Sequence, residues 1–155
     1  MSIEENKAII RRFYEFFGKE DSVRRIRKAE NRETEAEKVI RTIFTETYAL
    51  DCIMHASEGD RSLEEDIQDA VMYFTAFPDL RATVEDQIAE ADKVVTRWTM
   101  YGTHEGTLHS IPTTGKQVTV KGVTIKRIVS GKVVEEWSLI DILGLMQQVG
   151  VMPSE

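Results

Sequence analysis

Apolar residues near the start of the chain recur at helical spacing. Ile9, Ile10, Phe13, Phe16 and Phe17 follow Ser2, whose pairing with Glu5 three positions on forms a capping-box pattern, and Gly18 supplies a stop. The segment Arg24 to Lys38, RRIRKAENRETEAEK, interrupts this pattern, offering only Ile26, Ala29 and Ala36 as apolar contacts. Its Glu, Lys, Arg and Ala content favours helix, and a helix this polar projects into solvent or rests lightly on the body. Val39, Ile40, Ile43 and Phe44 restore a helical stripe, after which YALDCIMHA reads as a short strand from Tyr48 to His55. Ser62 and Glu65 form a second capping box, and Leu63, Ile67, Ala70, Val71, Phe74 and Phe77 then share one stripe that halts at Pro78.

Beyond Pro78 the period drops toward two. LRATVEDQIA, KVVTRWTMYGTH, QVTVKGVTIKRIV and KVVEEWSLID are rich in β-branched and aromatic residues, with turn signals at EADK and VSGK. They predict four consecutive antiparallel strands, and the tail ILGLMQQVGVM leaves the sheet as a short helical turn or an irregular closing segment. No internal repeat or linker interrupts residues 1–155, so one domain is expected. Helices followed by an antiparallel meander make an α+β fold, with helices on one sheet face and the other face solvated or used for dimerisation.

Strand alternation sorts the candidate chemistry. Val133, Glu135, Trp137, Leu139 and Asp141 share a face that is mostly apolar and is therefore read as inward. Apolar surroundings disfavour a carboxylate's charged form, which suits Asp141 to acid/base work, although a strand-end aspartate equally caps the following turn. Thr96, Trp98, Met100, Gly102 and His104 form another inward set, leaving Arg97 outside. His104 then either meets a substrate oxygen or is a buried histidine satisfied by one backbone bond. Asp51, Ile53 and His55 share a third face, read either as a polar addition to the cavity wall or as a structural Asp–His pair. His109 lies in the GTHEGTLHSIPTTGKQ connection and is expected at an exposed entrance flap.

Composition narrows the function classes. A net charge of −7 argues against a nucleic-acid partner, whose phosphates call for a basic surface. No run approaches the roughly 20 apolar residues of a membrane span. The start lacks the basic head and apolar run of a signal peptide, and Cys52 stands alone, so a cytoplasmic, reducing setting is expected. His104 and His109 lack metal-ligand spacing, so no metal is expected. Walker A, G-x-G-x-x-G and G-x-S-x-G patterns do not occur, which points away from nucleotide cofactors and a hydrolase elbow.

The ordered series FPDL (Phe77 to Leu80), DKVVTRWT (Asp92 to Thr99), GTHEG (Gly102 to Gly106), IPTTGK (Ile111 to Lys116), GKVVEEW (Gly131 to Trp137), Asp141 and LMQQVG (Leu145 to Gly150) resembles the SnoaL-like polyketide cyclases of the NTF2-like superfamily. That resemblance implies a cone in which N-terminal helices pack on a curved antiparallel sheet and enclose a pocket. It also implies cofactor-independent ring closure of a hydrophobic carbonyl substrate by intramolecular aldol condensation. A pocket aspartate matching Asp141 is implied as acid/base, with His104 polarising the carbonyl, and a homodimer through the outer sheet face is implied as well. Trp137, His55, Trp98, Met100 and His109 are then candidate substrate-binding residues. The polar segment from Arg24 to Lys38 departs from the resemblance, being longer than the usual link between the first two helices. A non-catalytic small-molecule binder, a dimerising module, and an isomerase or hydrolase on the same scaffold are the alternatives.

Overall fold

A computed structural model describes residues 1–153. The elements are α1 (Ile3–Glu15), α2 (Glu20–Lys28), α3 (Arg32–Thr47), β1 (Tyr48–Ala56), β2 (Gly59–Ser62), α4 (Leu63–Ala76), β3 (Arg81–Glu90), β4 (Lys93–Thr103), β5 (Gln117–Val129), β6 (Lys132–Ile140) and α5 (Ile142–Val149). Both capping boxes form: Ser2 and Ser62 each accept from the backbone N–H three residues on, while Glu5 and Glu65 reach back to the cap N–H. The polar stretch from Arg24 to Lys38 is divided between two helices, because Asn31 caps the N-terminus of α3 by accepting from Thr34 N–H.

The strands form one curved, open, mixed sheet in the order β2-β1-β6-β5-β4-β3. The predicted meander of four antiparallel strands is present as β3 to β6. The expectation of a wholly antiparallel sheet is corrected by β1, which pairs parallel to β6 and antiparallel to the short β2. Local periodicity carries no information on which non-adjacent strand β1 joins, so this pairing was not readable from it. The β5–β6 hairpin closes through Ser130 and Gly131, both at positive φ, as a two-residue turn matching the sheet twist requires.

The helices cover the concave sheet face. Phe13 anchors that layer, meeting Tyr14, Phe17, Phe44 and Tyr48 edge-on at centroid distances of 5.4, 5.0, 5.3 and 5.5 Å. Each such pair adds about 0.5–1.5 kcal/mol beyond area burial. A second small core, Ala76, Phe77, Leu108, Val118, Leu145 and Val149, lies where the β4–β5 connection and α5 meet. The polar segment does rest lightly on the body: Ile26 is its buried residue in α2, and Arg27 forks onto Glu105 at 2.7 and 3.1 Å. No helix among the described residues is long and apolar enough to cross a membrane.

On β4 the face assignment agrees with the alternation. Thr96, Trp98 and Gly102 are buried and Met100 packs against the core, while Arg97 is exposed. Trp98 lies over its cross-strand partner Gly122, where an added Cβ would collide with the indole ring. Gly122→Ala therefore forces the ring or strand to shift, and overpacking of this kind costs roughly 1–3 kcal/mol. Chemical denaturation should show that loss as a lowered midpoint with an unchanged m-value.

Candidate active site on the concave face

Alternation fails on β6, and a bulge is the reason. Val133 pairs with Ile128 but Glu135 pairs with Arg127, so Val134 is an extra residue and the faces exchange beyond it. Val133 points inward as expected, but the next inward residues are Glu136 and Ser138 rather than Glu135 and Trp137. β1 shows the same correction: Cys52 and Met54 are buried, while Asp51 and Ile53 are exposed and His55 lies on their side.

Glu136 completes a polar cluster that the sequence reading did not find. Lys126 Nζ, almost wholly buried, donates to Glu136 Oε1 at 3.4 Å, Tyr14 Oη at 3.1 Å and Thr124 Oγ1 at 3.4 Å. Tyr48 O–H donates to Glu136 Oε2 at 2.7 Å, and Ser138 O–H donates to Oε1 at 2.8 Å. Tyr14 and Thr124 share a hydroxyl hydrogen bond of 2.6 Å. Aromatic faces surround the ammonium, with the Tyr14, Phe13 and Tyr48 centroids 4.9, 5.1 and 5.9 Å from Nζ. Burial works against the charge on Lys126, but Glu136 and Tyr14 outweigh it and hold the pKa up at about 12. Burial, reinforced by Glu136, pushes the Tyr48 phenol well above its ordinary value. Alternating Thr124, Lys126 and Ile128 on β5 was the available signal, since a lysine between inward positions of a core strand has to find a partner.

Asp66, on the first turn of α4, has 29% of its side chain exposed. Burial first, and Glu136 second, raise its pKa to about 7. Arg61 Nε, 3.7 Å from Asp66 Oδ1, opposes that rise.

The sequence-predicted residues do not converge on one site. Asp141 was expected in an apolar hollow beneath the helices, but it is exposed at the end of β6 and accepts from Gly144 N–H at 2.9 Å as the N-cap of α5. It borders a shallow groove of about 380 Å³ formed by β4, β5 and β6, with Arg97, Thr99, Lys121, Val123 and Leu139 along it. Arg97 and Thr99 alternate with inward Trp98, so this groove lies on the face away from the helices. The concave face itself is filled by the aromatic layer around Phe13. Trp137 is also on the outer face, stacked on His55 at 5.2 Å.

His104 is inward and fully buried, as its alternation indicated. It lies under the β4–β5 connection, stacked on Phe77 at 5.3 Å, with Nδ1 2.8 Å from Thr114 Oγ1. Among the described residues Nε2 has no hydrogen-bond partner. Burial lowers its pKa, which keeps the ring neutral at physiological pH. His109 is exposed at positive φ in the tight Leu108–Ile111 turn and meets Tyr73 edge-on at 6.3 Å, in keeping with a surface flap.

His55 joins two strands electrostatically. Its Nδ1 is 2.7 Å from Asp60 on β2, and its Nε2 is 2.8 Å from Glu135 on β6. Hydrogen bonding to Glu135 first, and to Asp60 second, raises the His55 pKa. The proton-linked stability is then fully present below an unfolded value of about 6.5 and is lost as pH rises through the higher folded value. Urea titrations across that window should show wild type losing stability with rising pH relative to His55→Gln; parallel profiles would remove the linkage.

The comparisons with known proteins agree on the fold. AclR from Streptomyces galilaeus, provisionally described as a hydroxylase, superposes with a TM-score of 0.78 at 25% identity, covering 98% of this chain and 100% of that one. A protein from Jannaschia sp. CCS1, provisionally described as a SnoaL-like polyketide cyclase, gives 0.74 at 22% identity, covering 99% and 97%. IdmH from Streptomyces antibioticus, provisionally described as a polyketide cyclase, gives 0.64 at 26% identity, covering 77% and 93%. No curated protein matches the sequence. The family model for SnoaL-like polyketide cyclase matches residues 21–149, a span that runs from α2 to the end of α5, and the chain belongs to that family.

Proposed function

We propose that this protein is a cofactor-independent acid/base enzyme that closes a ring in a hydrophobic carbonyl substrate by an aldol-type step. The observation that carries this reading is the Lys126–Glu136 pair with its phenol and hydroxyl partners, held on the concave face of a cyclase-family scaffold. Removing two charges from water costs several kcal/mol per ion, and well-packed apolar side chains would stabilise a core as well or better. Keeping an ionic network there makes sense where it sets the protonation of a neighbouring group. Positioned acid/base groups contribute about 10²–10⁴-fold to such reactions.

A second reading is a non-catalytic binder of a hydrophobic small molecule, favoured by the groove on the outer face with Val123, Leu139 and Ile140 along it. One variant separates the two readings. Lys126→Met with Glu136→Gln removes both charges while leaving an acceptor for Tyr48 and Ser138, so the thermal midpoint should change by only a few degrees. With a linear poly-β-keto ester as probe, ring closure followed by NMR should fall at least about a hundredfold. Unchanged turnover would reduce the network to a structural role, and binding without product from wild type would favour the binder.

A further inference from the structure

We propose that α2 is a latch: through Arg27 and Glu105 it holds the β4–β5 connection closed over His104, and release of that ion pair opens the imidazole and the apolar cluster around it to a small molecule. This concerns access and stands apart from the acid/base reading above.

The cover is long and loosely built. Residues 104–116 join β4 to β5 with no helix or strand of their own beyond the isolated Leu108–Ile111 bridge. Stretches of that length without regular structure are uncommon in compact domains, and lids and binding loops are their usual uses. Leu108 is fully buried in the second core beside Phe77, Val118 and Leu145, whereas most of residues 107–114 are exposed. Gly106 and Gly115 flank that span, and Gly115 has a φ of 71°, so both ends have the backbone freedom a hinge needs.

What lies beneath favours opening. His104 is wholly buried, its Nδ1 is 2.8 Å from Thr114 Oγ1, and its Nε2 has no hydrogen-bond partner among the described residues. A buried nitrogen left unpaired has lost its hydration without return. The closed connection therefore carries a penalty that opening removes, and other contacts have to hold it down.

The polar helices supply part of that hold. Arg27 on α2 places Nη2 2.7 Å and Nε 3.1 Å from the two carboxylate oxygens of Glu105, a fork of charge-assisted bonds. Its Nη2 also lies 3.5 Å from Asp79 Oδ2, and Asp79 accepts from the Thr103 N–H and O–H at 2.7 and 2.8 Å. Arg32, the first residue of α3, donates to the Glu105 carbonyl at 3.4 Å. Glu105 directly follows His104, so α2 and α3 grip the connection where it leaves the strand. This gives a task to residues 24–38, which are too polar to add much core. Because Arg27 and Glu105 are partly exposed, solvent and salt weaken the pair enough for it to release.

The test is the rate at which diethyl pyrocarbonate modifies His104, read by tandem mass spectrometry against the exposed His109 as internal standard. Wild type is compared with Arg27→Ala, Arg27→Lys, Glu105→Gln and the Arg27→Ala/Glu105→Gln double variant, each checked for a wild-type-like circular dichroism spectrum. Arg27→Ala should raise the His104 rate about three- to tenfold. Exchange of the Leu108 and Gly115 amides, which donate to the Ile111 and His104 carbonyls in the closed form, should quicken by a similar factor. Arg27→Lys keeps the charge without the fork and should fall between. The double variant should exceed Arg27→Ala by little, since both single changes remove the same interaction. High salt should speed the wild-type reaction and leave Arg27→Ala almost unchanged. A His104 rate unaltered by Arg27→Ala, or additive effects of the two single changes, overturns the latch. Ring closure or its absence alters none of these rates, so the acid/base reading stands or fails separately.

Discussion

The protein is organised around one charge that water cannot reach. Lys126 extends from the last third of β5 toward the helices, and the elements nearby surround its ammonium. α1 supplies the Tyr14 hydroxyl and the Phe13 ring, β1 supplies Tyr48, and β6 supplies Glu136. Losing Glu136 would leave the ammonium as an uncompensated charge, which is why breaking a buried pair costs more than replacing it whole. Helix and sheet are therefore matched electrostatically as well as by packing, and α1 cannot shift along the sheet without disturbing that match.

This constraint connects the fold to its chemistry. The concave face is occupied by aromatic rings around a neutralised ion pair, and the Glu136 end of that pair, after burial itself, helps to raise the pKa of Asp66 on α4. The outer face has a different character, with an Asp60–His55–Glu135–Arg127 chain, the Trp137 stack and a shallow groove bordered by Asp141. Both faces carry ionisable groups. They differ in solvent: screening weakens the outer set, while burial strengthens the inner one.

Much of the scaffold was legible because its signals are local. Capping boxes at Ser2 and Ser62, the stop at Pro78 and the hairpin at Ser130–Gly131 each depend on residues a few positions apart. The face of β4 was also legible, since a regular strand preserves alternation from Thr96 to Gly102. The motif series from Phe77 to Gly150 pointed to the family that the model match assigns over residues 21–149. The candidate site was far less readable. Period-two reasoning placed Trp137 and Asp141 inside; one extra residue at Val134 turned Trp137 outward and Glu136 inward, and Asp141 lies past the strand as a helix cap.

By itself, then, the chain determined its helices and hairpins, the inward face of β4 and its kinship, because each is written in short-range pattern or in an ordered set of motifs. Tertiary structure alone decided that β1 lies parallel to β6, that β6 bulges, and that Lys126, Glu136, Tyr14 and Tyr48 meet. Those residues are scattered from α1 to β6, and their pKa values arise from burial and mutual charge, which exist only once the helices have closed over the sheet.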